Sequence, residues 1–311
     1  MKRVSCIDIG TNTALLLIAD LEPDSGSILP VYHKQTIVRL GKNIDAEKVI
    51  DGEAQERLAN CLNDYCRISS DHSCETIIAV GTSALRDAAN RNEVICKVAA
   101  ETGITLKCIS GQEEAELTFF GAVAGMNNVS ELFMVIDIGG GSTEISMGSL
   151  SGVTESISLN IGSVRFTERF FTSQPPLQKE VDAAKAEIDK QLTSNILPFF
   201  SAREQAYGVA GTVTTLAQVS MEMKHFDALK VHNYALKYFD VHKLLEQFKE
   251  KKHQEIIELG IPEGRADVIV MGTLILHQFM RLLGIGEIKV SIQGLRFGLA
   301  QQELLRLQKN I

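Results

Sequence analysis

The chain has 311 residues, a length that usually divides into two domains. Hydrophobic residues make up 45% and charged residues 23%, the proportions of an ordinary globular protein, so overall disorder is not expected. The net charge of −8 argues against a protein that wraps nucleic acid, which usually presents a basic surface. A polyanionic ligand would need Lys and Arg concentrated locally.

The first half of the chain predicts alternating strands and helices. β-Branched, alternating residues predict a strand at Val4–Ile9, and a Gly-Thr-Asn turn joins it to a second apolar run at Ala14–Ala19. The other predicted elements are strands at Ile28–Val38, Thr76–Val80 and Leu106–Ile109 and helices at Glu53–Ile68, Ser83–Ala89, Glu93–Thr102 and Glu113–Ala124.

The same order of elements begins again at Leu132. The predicted strands are Leu132–Ile136, Glu144–Met147, Val153–Leu159, Ala206–Val209 and Ile288–Val290. The predicted helices are Val164–Phe171, Leu177–Leu197, Thr212–Met221, Val241–Glu250, Arg265–Leu283 and Leu295–Gln308.

This repeat of strand, turn, strand, strand and helix predicts an α/β protein of two domains that face each other across a cleft. The first predicted domain covers residues 1–125 and the second residues 126–311, with the boundary in the turn-rich segment Gly125–Glu131. The last helix, about 295–309, ends the second predicted domain. Whether this helix packs back on the first domain is left open.

The six cysteines form no C-x-x-C pair, which predicts reduced, mostly buried thiols and disfavours a zinc site. No apolar run approaches the roughly 18 residues needed to span a bilayer, and Met1-Lys2-Arg3 leads directly into a short strand. We therefore expect a cytoplasmic protein that binds neither membrane nor nucleic acid.

Two turns that combine an acid with glycine stand at corresponding places in the two halves: DIGTNT at Asp8–Thr13 and DIGGGSTE at Asp137–Glu144. Glycine lets the backbone approach a ligand closely, and the amides and hydroxyls of such a turn can cradle phosphate oxygens. The candidate phosphate-binding residues are Gly10, Thr11, Asn12, Thr13, Gly139, Gly140, Gly141, Ser142 and Thr143. Ordinary flexible hairpin turns are the alternative.

The second turn matches neither a Walker A loop, since no Gly-Lys-Ser/Thr follows, nor a Rossmann fingerprint, since a strand follows the glycines. The acids beside the turns, Asp8, Asp137 and Glu144, are candidate ligands of Mg²⁺, with other divalent cations left open.

Gly211-Thr212 opens a predicted helix, where an anion or a nucleotide could bind; a plain strand–helix joint is the alternative. Glu113 and Glu114 stand in the first turn of another helix, which the helix dipole favours in any case. Their functional interpretation is a general base that activates water. Arg39 and Arg86 are candidate phosphate ligands, with surface salt bridges as the alternative.

Together these segments resemble the Ppx/GppA family of exopolyphosphatases and guanosine pentaphosphate phosphohydrolases, in an order and spacing that span nearly the whole chain. The matching segments are DIGTNT at Asp8–Thr13, RLG at Arg39–Gly41, GTSALRDA at Gly81–Ala88, ISGQEEA at Ile109–Ala115, DIGGGSTE at Asp137–Glu144, LNIGSVRFTE at Leu159–Glu168, GVAGTVTTLA at Gly208–Ala217, RADVIVMGTLIL at Arg265–Leu276 and GLRFGL at Gly294–Leu299.

The resemblance implies two domains of the actin-like (ASKHA, ribonuclease H-like) fold. It implies that Glu114, the second glutamate of ISGQEEA, is the catalytic base and that Arg86 contacts phosphate. The glycine turns would bind phosphate while their acids assist Mg²⁺, and Gly211-Thr212 would correspond to the superfold's nucleoside-binding region.

The activity implied by the resemblance is hydrolysis of the terminal phosphoanhydride bond of inorganic polyphosphate, with guanosine pentaphosphate as the alternative substrate. Longer relatives carry an added C-terminal helical domain, and because this sequence stops at Ile311 we expect short polyphosphate to be favoured. Relatives often carry an acid before Gly294, where this sequence reads Ser291-Ile292-Gln293. An ATP-dependent small-molecule kinase and a non-catalytic alarmone or polyphosphate sensor are more distant alternatives, and a homodimer is left open.

Overall fold

The computed structural model describes residues 1–126, 129–196 and 205–309. The chain divides into two compact units. Unit 1 consists of Met1–Asn127 together with Gln293–Ile311, and unit 2 consists of Asn128–Ile292.

Unit 1 is built on a five-stranded sheet. Its strands are β1 (Lys2–Ile9), β2 (Thr13–Glu22), β3 (Ser27–Ile37), β4 (Thr76–Gly81) and β5 (Leu106–Cys108), and its first helices are α1 (Ile44–Glu47), α2 (Gly52–Asp71), α3 (Ser83–Asp87), α4 (Arg91–Thr102) and α5 (Gly111–Ala122). The strand order is β3-β2-β1-β4-β5, with β1 to β3 an antiparallel meander and β4 and β5 parallel to β1. Since parallel strands end at one edge of a sheet, the loops after β1, β4 and β5 meet there.

Unit 2 repeats this arrangement with one strand more. Its strands are β6 (Phe133–Ile138), β7 (Thr143–Ser149), β8 (Gly152–Leu159), β9 (Gln205–Val209), β10 (Ala235–Lys237) and β11 (Glu287–Val290). Its helices are α6 (Ser163–Phe170), α7 (Gln178–Asn195), α8 (Ala210–Ser220), α9 (Ala228–Val231), α10 (Tyr238–Phe248), α11 (His253–Ile257), α12 (Glu263–Ala266) and α13 (Ile269–Leu283). The order is β8-β7-β6-β9-β11-β10, again a meander followed by parallel strands, with β10 added antiparallel at the edge.

The prediction of two α/β domains of the actin-like, ribonuclease H-like fold is confirmed by these two sheets. In each, the first strand of the meander is the central strand and is almost wholly buried, as the apolar runs in the sequence indicated. A separate hydrophobic core lies on α7, α8, α10 and α13 in unit 2 and on α2 and α4 in unit 1.

The last helix, α14 (Leu295–Lys309), belongs to unit 1. It packs on α5, where the backbones approach so closely that a Cβ at Gly298 would overlap the carbonyl oxygen of Leu117. Lys2 of β1 forms an ion pair with Glu303 of this helix, with Nζ and Oε1 2.9 Å apart. A second apolar cluster joins β1 and β2 to α14.

One helix prediction is wrong. The segment Arg265–Leu283 is not a single helix, because α12 ends at Ala266 and α13 begins at Ile269. The N–H of Val268 donates to the carbonyl of Arg265 over 3.1 Å, which closes a turn between the two helices. The predicted end at Leu197 of another helix lies outside the described residues.

Some of the shortest elements, each of three to five residues, were not predicted, because so short a segment shows little periodicity. They are α1, α9, β10 and α11. All six cysteines are free thiols; Cys6 and Cys61 are buried, whereas Cys96 is exposed. Within the described ranges, no helix combines the length and the apolar character required to cross a bilayer.

Candidate active site

The turn between β1 and β2 presents backbone amides at the edge of the unit 1 sheet. The N–H of Gly10 donates to the carbonyl of Thr13 over 2.9 Å and closes the turn. The N–H of Thr11 donates to no acceptor in the parts of the chain that the structure describes, and the buried Thr11 hydroxyl has no partner there. Amides not used inside the protein are available to an anion.

Backbone hydrogen bonds from the loop after β3 hold this turn in place. The N–H of Gly41 donates to the carbonyl of Thr11 over 2.8 Å, and the N–H of Arg39 donates to the carbonyl of Asn12 over 2.9 Å. Arg39 adopts a left-handed backbone conformation with φ of 46°. These bonds bring Arg39, a predicted phosphate ligand, next to the predicted phosphate-binding turn.

The turn between β6 and β7 in unit 2 has the same construction. The N–H of Gly139 donates to the carbonyl of Ser142 over 3.0 Å, and the N–H of Val164 at the start of α6 donates to the carbonyl of Gly140 over 2.8 Å. The N–H groups of Gly140 and Gly141 donate to no acceptor among the described residues. Their carbonyls are therefore engaged while their amides remain available.

Helix α6 reaches this turn because Gly162, its N-cap, carries no side chain. A Cβ at Gly162 would overlap the carbonyl oxygen of Gly140. Arg165, in the first turn of α6 and buried, donates from Nε to the carbonyl of Gly141 over 2.6 Å. The turn is therefore held in place by a buried guanidinium as well as by backbone bonds.

Two hydroxyl residues predicted to bind phosphate lie inside unit 2. Thr143 is fully buried, and its hydroxyl donates to the carbonyl of Ile161 over 2.6 Å. Ser142 is only 2% exposed. The part of this turn left for a phosphate is thus its glycine amides.

A buried carboxylate–guanidinium pair lies at the edge of the unit 1 sheet. Arg86 of α3 donates from Nη1 to Oε2 of Glu114 over 2.5 Å and to the carbonyl of Ile109 over 3.3 Å. The side chain of Glu114 is 10% exposed and that of Arg86 19%. Burial raises the pKa of Glu114, and the positive charge of Arg86 opposes that rise without cancelling it.

The adjacent Glu113 has a different environment. Its Oε1 accepts from Nζ of Lys107 over 2.6 Å, and its side chain is 33% exposed. Its backbone N–H donates to the hydroxyl of Ser110, the N-cap that begins α5, over 3.1 Å. Of the two candidate bases, Glu114 is the one beside a phosphate-binding candidate.

Asp8, at the end of β1, is a half-buried carboxylate that forms no hydrogen bond or ion pair with any residue the structure describes. Burial raises the pKa of Asp8 to about 7; the negative charge of Glu114 adds to the rise, and the positive charge of Arg296 opposes it. A carboxylate that no hydrogen bond or ion pair of the described residues engages fits the role of a cation ligand.

Asp137 and Glu144, the other predicted metal ligands, are paired residues on β6 and β7. Glu144 is 2% exposed, and its Oε1 accepts from the hydroxyl of Ser158 over 2.7 Å. Asp137 is half-buried and therefore the more accessible of the two.

The Gly211-Thr212 joint at the start of α8 is filled by a protein side chain. Nη1 of Arg265 donates to the carbonyl of Gly211 over 2.6 Å and to the hydroxyl of Thr215 over 3.1 Å. Thr212 packs against Gly272 of α13 and is 7% exposed. Burial lowers the pKa of Arg265 to about 10, which leaves its guanidinium charged at neutral pH.

Three arginines at these places were not predicted. Arg165 supports the unit 2 turn, Arg265 fills the joint, and Arg296 of α14 adds positive charge near Asp8 while donating to the carbonyl of Leu16 over 3.1 Å. Each stands in a segment that carries the family resemblance, which was the available signal. Without that resemblance, an arginine in an amphipathic helix would be interpreted as a surface residue.

Among the described residues, no group of three or more His, Cys, Asp or Glu side chains surrounds a common point. Mg²⁺ does not require one, because it is usually held by one or two carboxylates together with water and substrate phosphates. The carboxylate of Asp8, which forms no hydrogen bond or ion pair with the described residues, fits that pattern.

Two sheets that share an antiparallel meander followed by parallel strands, each with an amide-presenting turn after the first strand of its meander, define an α/β protein of the actin-like class. Within that class the chain belongs to the Ppx/GppA phosphatase family, whose model matches residues 18–307.

Similar proteins and solved structures agree with this assignment. Exopolyphosphatase 2 of Mycobacterium tuberculosis is 35% identical over 314 residues, which cover 96% of this chain and 98% of that protein. The bifunctional 3-dehydroquinate synthase/phosphatase of Fusobacterium nucleatum is 37% identical over 293 residues, 92% of this chain but only 44% of that protein, so the chain spans less than half of its length. The crystal structure of an exopolyphosphatase from Cytophaga hutchinsonii matches with a TM-score of 0.89 at 28% identity, covering 98% of both chains.

Proposed function

We propose that this protein is an exopolyphosphatase, which hydrolyses the terminal phosphoanhydride bond of inorganic polyphosphate and releases phosphate. The observation that carries the proposal is the buried Glu114–Arg86 pair in the same unit as an amide-presenting turn. Likeness to Exopolyphosphatase 2 over nearly the full length of both chains supports it.

Glu114 would act as the general base. A buried carboxylate with a raised pKa holds a proton more readily than an exposed one, which suits it to take a proton from attacking water. Water would attack the terminal phosphorus in line with the anhydride bond, and the shortened polyphosphate would leave with the bonding electrons. Arg86, which is already oriented by Glu114, would neutralise the phosphoryl oxygens.

The amides of Thr11 in unit 1 and of Gly140 and Gly141 in unit 2 would donate to phosphate oxygens. Their contribution is electrostatic and requires no rearrangement within either turn, because the carbonyls of each turn already accept hydrogen bonds from its own unit. Arg39 would add positive charge beside the first turn.

We further propose Mg²⁺ as the cofactor, with Asp8 as the candidate protein ligand in unit 1 and Asp137 as the candidate in unit 2; other divalent cations remain candidates. When bound, the ion would supply positive charge to the phosphate chain. Asp8 supports this assignment because its carboxylate is partly removed from solvent and has no hydrogen-bond or ion-pair partner among the described residues. Glu144 would support Asp137 without contacting the ion, since its side chain is buried and accepts a hydrogen bond from Ser158.

The test compares Glu114→Gln with Glu113→Gln, a matched control one residue away. We expect Glu114→Gln to lower kcat for phosphate release from polyphosphate about 100- to 10,000-fold, the usual contribution of a general base. Glu113→Gln should retain activity because its side chain binds a surface lysine. A fully active Glu114→Gln enzyme with unchanged stability would remove Glu114 from the role of base.

Guanosine pentaphosphate is the alternative substrate, since it also ends in a phosphoanhydride. Phosphate release from short polyphosphate, long polyphosphate, guanosine pentaphosphate and ATP, measured side by side with Mg²⁺, distinguishes the two. Turnover of ATP only with a small-molecule acceptor would identify a kinase, and binding without release would identify a sensor. A cytoplasmic location belongs to this proposal and is open to cell fractionation.

A further inference from the structure

Three aromatic rings of unit 2 direct polar atoms towards one another. Tyr238 and His242 lie on α10, and His277 lies on α13, which packs against α10. Nε2 of His277 is 3.0 Å from the hydroxyl oxygen of Tyr238 and 3.2 Å from Nδ1 of His242. None of these residues takes part in the proposed phosphate chemistry.

The tautomer of His277 is set by a chain of hydrogen bonds on its other side. Gln278 is fully buried and directs its amide nitrogen to a carboxylate oxygen of Asp189, which can only accept. The amide oxygen of Gln278 must therefore face His277, whose Nδ1 lies 2.9 Å away and has to donate. Arg281 holds the second oxygen of Asp189 over 2.8 Å. Nε2 of neutral His277 consequently carries a lone pair.

Two polar atoms compete for that lone pair. One nitrogen lone pair accepts one strong hydrogen bond, yet both the Tyr238 hydroxyl and Nδ1 of His242 lie within bonding distance. If Tyr238 donates, Nδ1 of His242 faces Nε2 of His277 either as a surplus donor or as a second lone pair.

The separation of the two nitrogens fits a shared metal ion. Zinc binds imidazole nitrogen at about 2.0–2.1 Å with near-tetrahedral angles, which places two such nitrogens roughly 3.2–3.4 Å apart. The observed distance is 3.2 Å. The bond from Nδ1 of His277 to Gln278 is also the outer-shell contact that orients a ligating histidine.

We propose that Tyr238, His242 and His277 form a binding site for a divalent transition-metal ion, represented by Zn²⁺, separate from the magnesium site. Nδ1 of His242 and Nε2 of His277 are the nitrogen ligands, the oxygen of Tyr238 is the third donor, and water completes the shell. Two imidazoles favour Zn²⁺ over Mg²⁺, which prefers oxygen. His242 is exposed and His277 buried, so the ion has an entry path and one anchored ligand.

The ion would join α10 to α13, and this gives the test a readout other than activity. Zn²⁺ binding to the full chain is measured by isothermal titration calorimetry with Mg²⁺ in excess, together with the shift in thermal midpoint. We expect one equivalent of Zn²⁺ to bind and to raise the midpoint, because a ligand bound only by the folded state stabilises it. His242→Ala, a substitution at an exposed position, should weaken binding at least about tenfold and remove the thermal shift.

His225→Ala is the matched control, since His225 is exposed and lies outside this cluster. It should bind Zn²⁺ like the wild type. The proposal is overturned if the wild type binds no stoichiometric Zn²⁺, or if His242→Ala binds as tightly as the control. His277→Gln provides a second test, and it is accepted only if its circular dichroism matches the wild type.

Discussion

At the scale of one residue, the burial of Asp8 lowers the stability of the folded protein when its carboxylate is ionised. Its pKa lies near 7 in the folded protein because of burial, against an ordinary value of 3.8. Between about pH 4 and 7 the folded state therefore retains a proton that the unfolded state has released. The free energy of unfolding contributed by this group is highest at low pH and falls as the pH rises through that window.

Replacing this carboxylate by an amide should remove the pH dependence. In metal-free buffer at pH 8, we expect Asp8→Asn to be more stable than the wild type by on the order of 1–2 kcal/mol, a value reduced for partial exposure, with no difference near pH 4. Urea unfolding followed by circular dichroism at the two pH values measures this directly.

Asp24→Asn, at an exposed position in the turn after β2, is the control and should change nothing. If Asp8 also binds Mg²⁺, the added cation should stabilise the wild type and leave Asp8→Asn unaffected. Equal stability of the two proteins at pH 8 would mean that ionised Asp8 is compensated by charges such as that of Arg296.

The residues of the candidate site were predictable to different degrees. Glu114, Arg86 and the two glycine turns stand in local motifs, so a short window of sequence was enough to propose them. Arg296 was not predictable in this way, because its proximity to Asp8 depends on α14 packing beside β1 from the other end of the chain. The solvent exposure that separates Glu113 from Glu114 also became known only with the helix in place.

At the scale of elements, the contact between α5 and α14 controls the helix that carries Glu114. A Cβ at Gly298 would overlap the backbone of α5 at Leu117, and one at Gly121 would overlap the backbone of α14. Neither obstacle is a flexible side chain that could move aside. The two helices touch at this distance only because both positions are glycine.

Gly298→Ala should therefore push α14 away from α5. We expect a loss of about 2 kcal/mol or more in the free energy of unfolding, in the range of overpacked contacts, together with a lower kcat because α5 positions Glu114. Gly52→Ala in α2 is the control, since a Cβ there meets no atom within 4 Å. Wild-type stability in Gly298→Ala would show that the helices can separate at little cost.

The elements themselves were largely predictable where periodicity was strong. Strand β1 and helix α2 were expected close to their observed bounds, because alternation and 3.6-residue spacing run over many residues. The break between α12 and α13 was missed, since the apolar pattern continues across it while Arg265 turns towards Gly211. Tertiary contacts of this kind override a local pattern.

At the scale of the whole molecule, the two units have a similar arrangement of strands and the same kind of turn, although their sequences differ. In each, the residue after the central strand's last residue donates its N–H to a carbonyl three positions on, from Gly10 to Thr13 and from Gly139 to Ser142. The units differ in how the chain completes them. The core of unit 2 comes from one continuous stretch, whereas a cluster in unit 1 needs the far end of the chain.

This difference predicts that the two halves will not behave alike when separated. Residues 129–292 alone should fold cooperatively, because none of the described residues outside this range belongs to their core cluster. Residues 1–126 alone should not, because removing α14 exposes the apolar cluster on β1 and β2 that it covers. The side chains lost from that cluster are Leu295, Phe297, Leu299, Ala300 and Leu304.

The deciding sample is a chain in which a flexible Gly/Ser linker joins residue 126 to residue 293, which supplies α14 to unit 1 without unit 2. We expect its far-UV circular dichroism to show a cooperative thermal transition that residues 1–126 lack. Because both samples contain the whole five-stranded sheet, a difference between them measures what α14 contributes. Cooperative unfolding of residues 1–126 by themselves would show instead that α2 and α4 form a sufficient core on one face of the sheet.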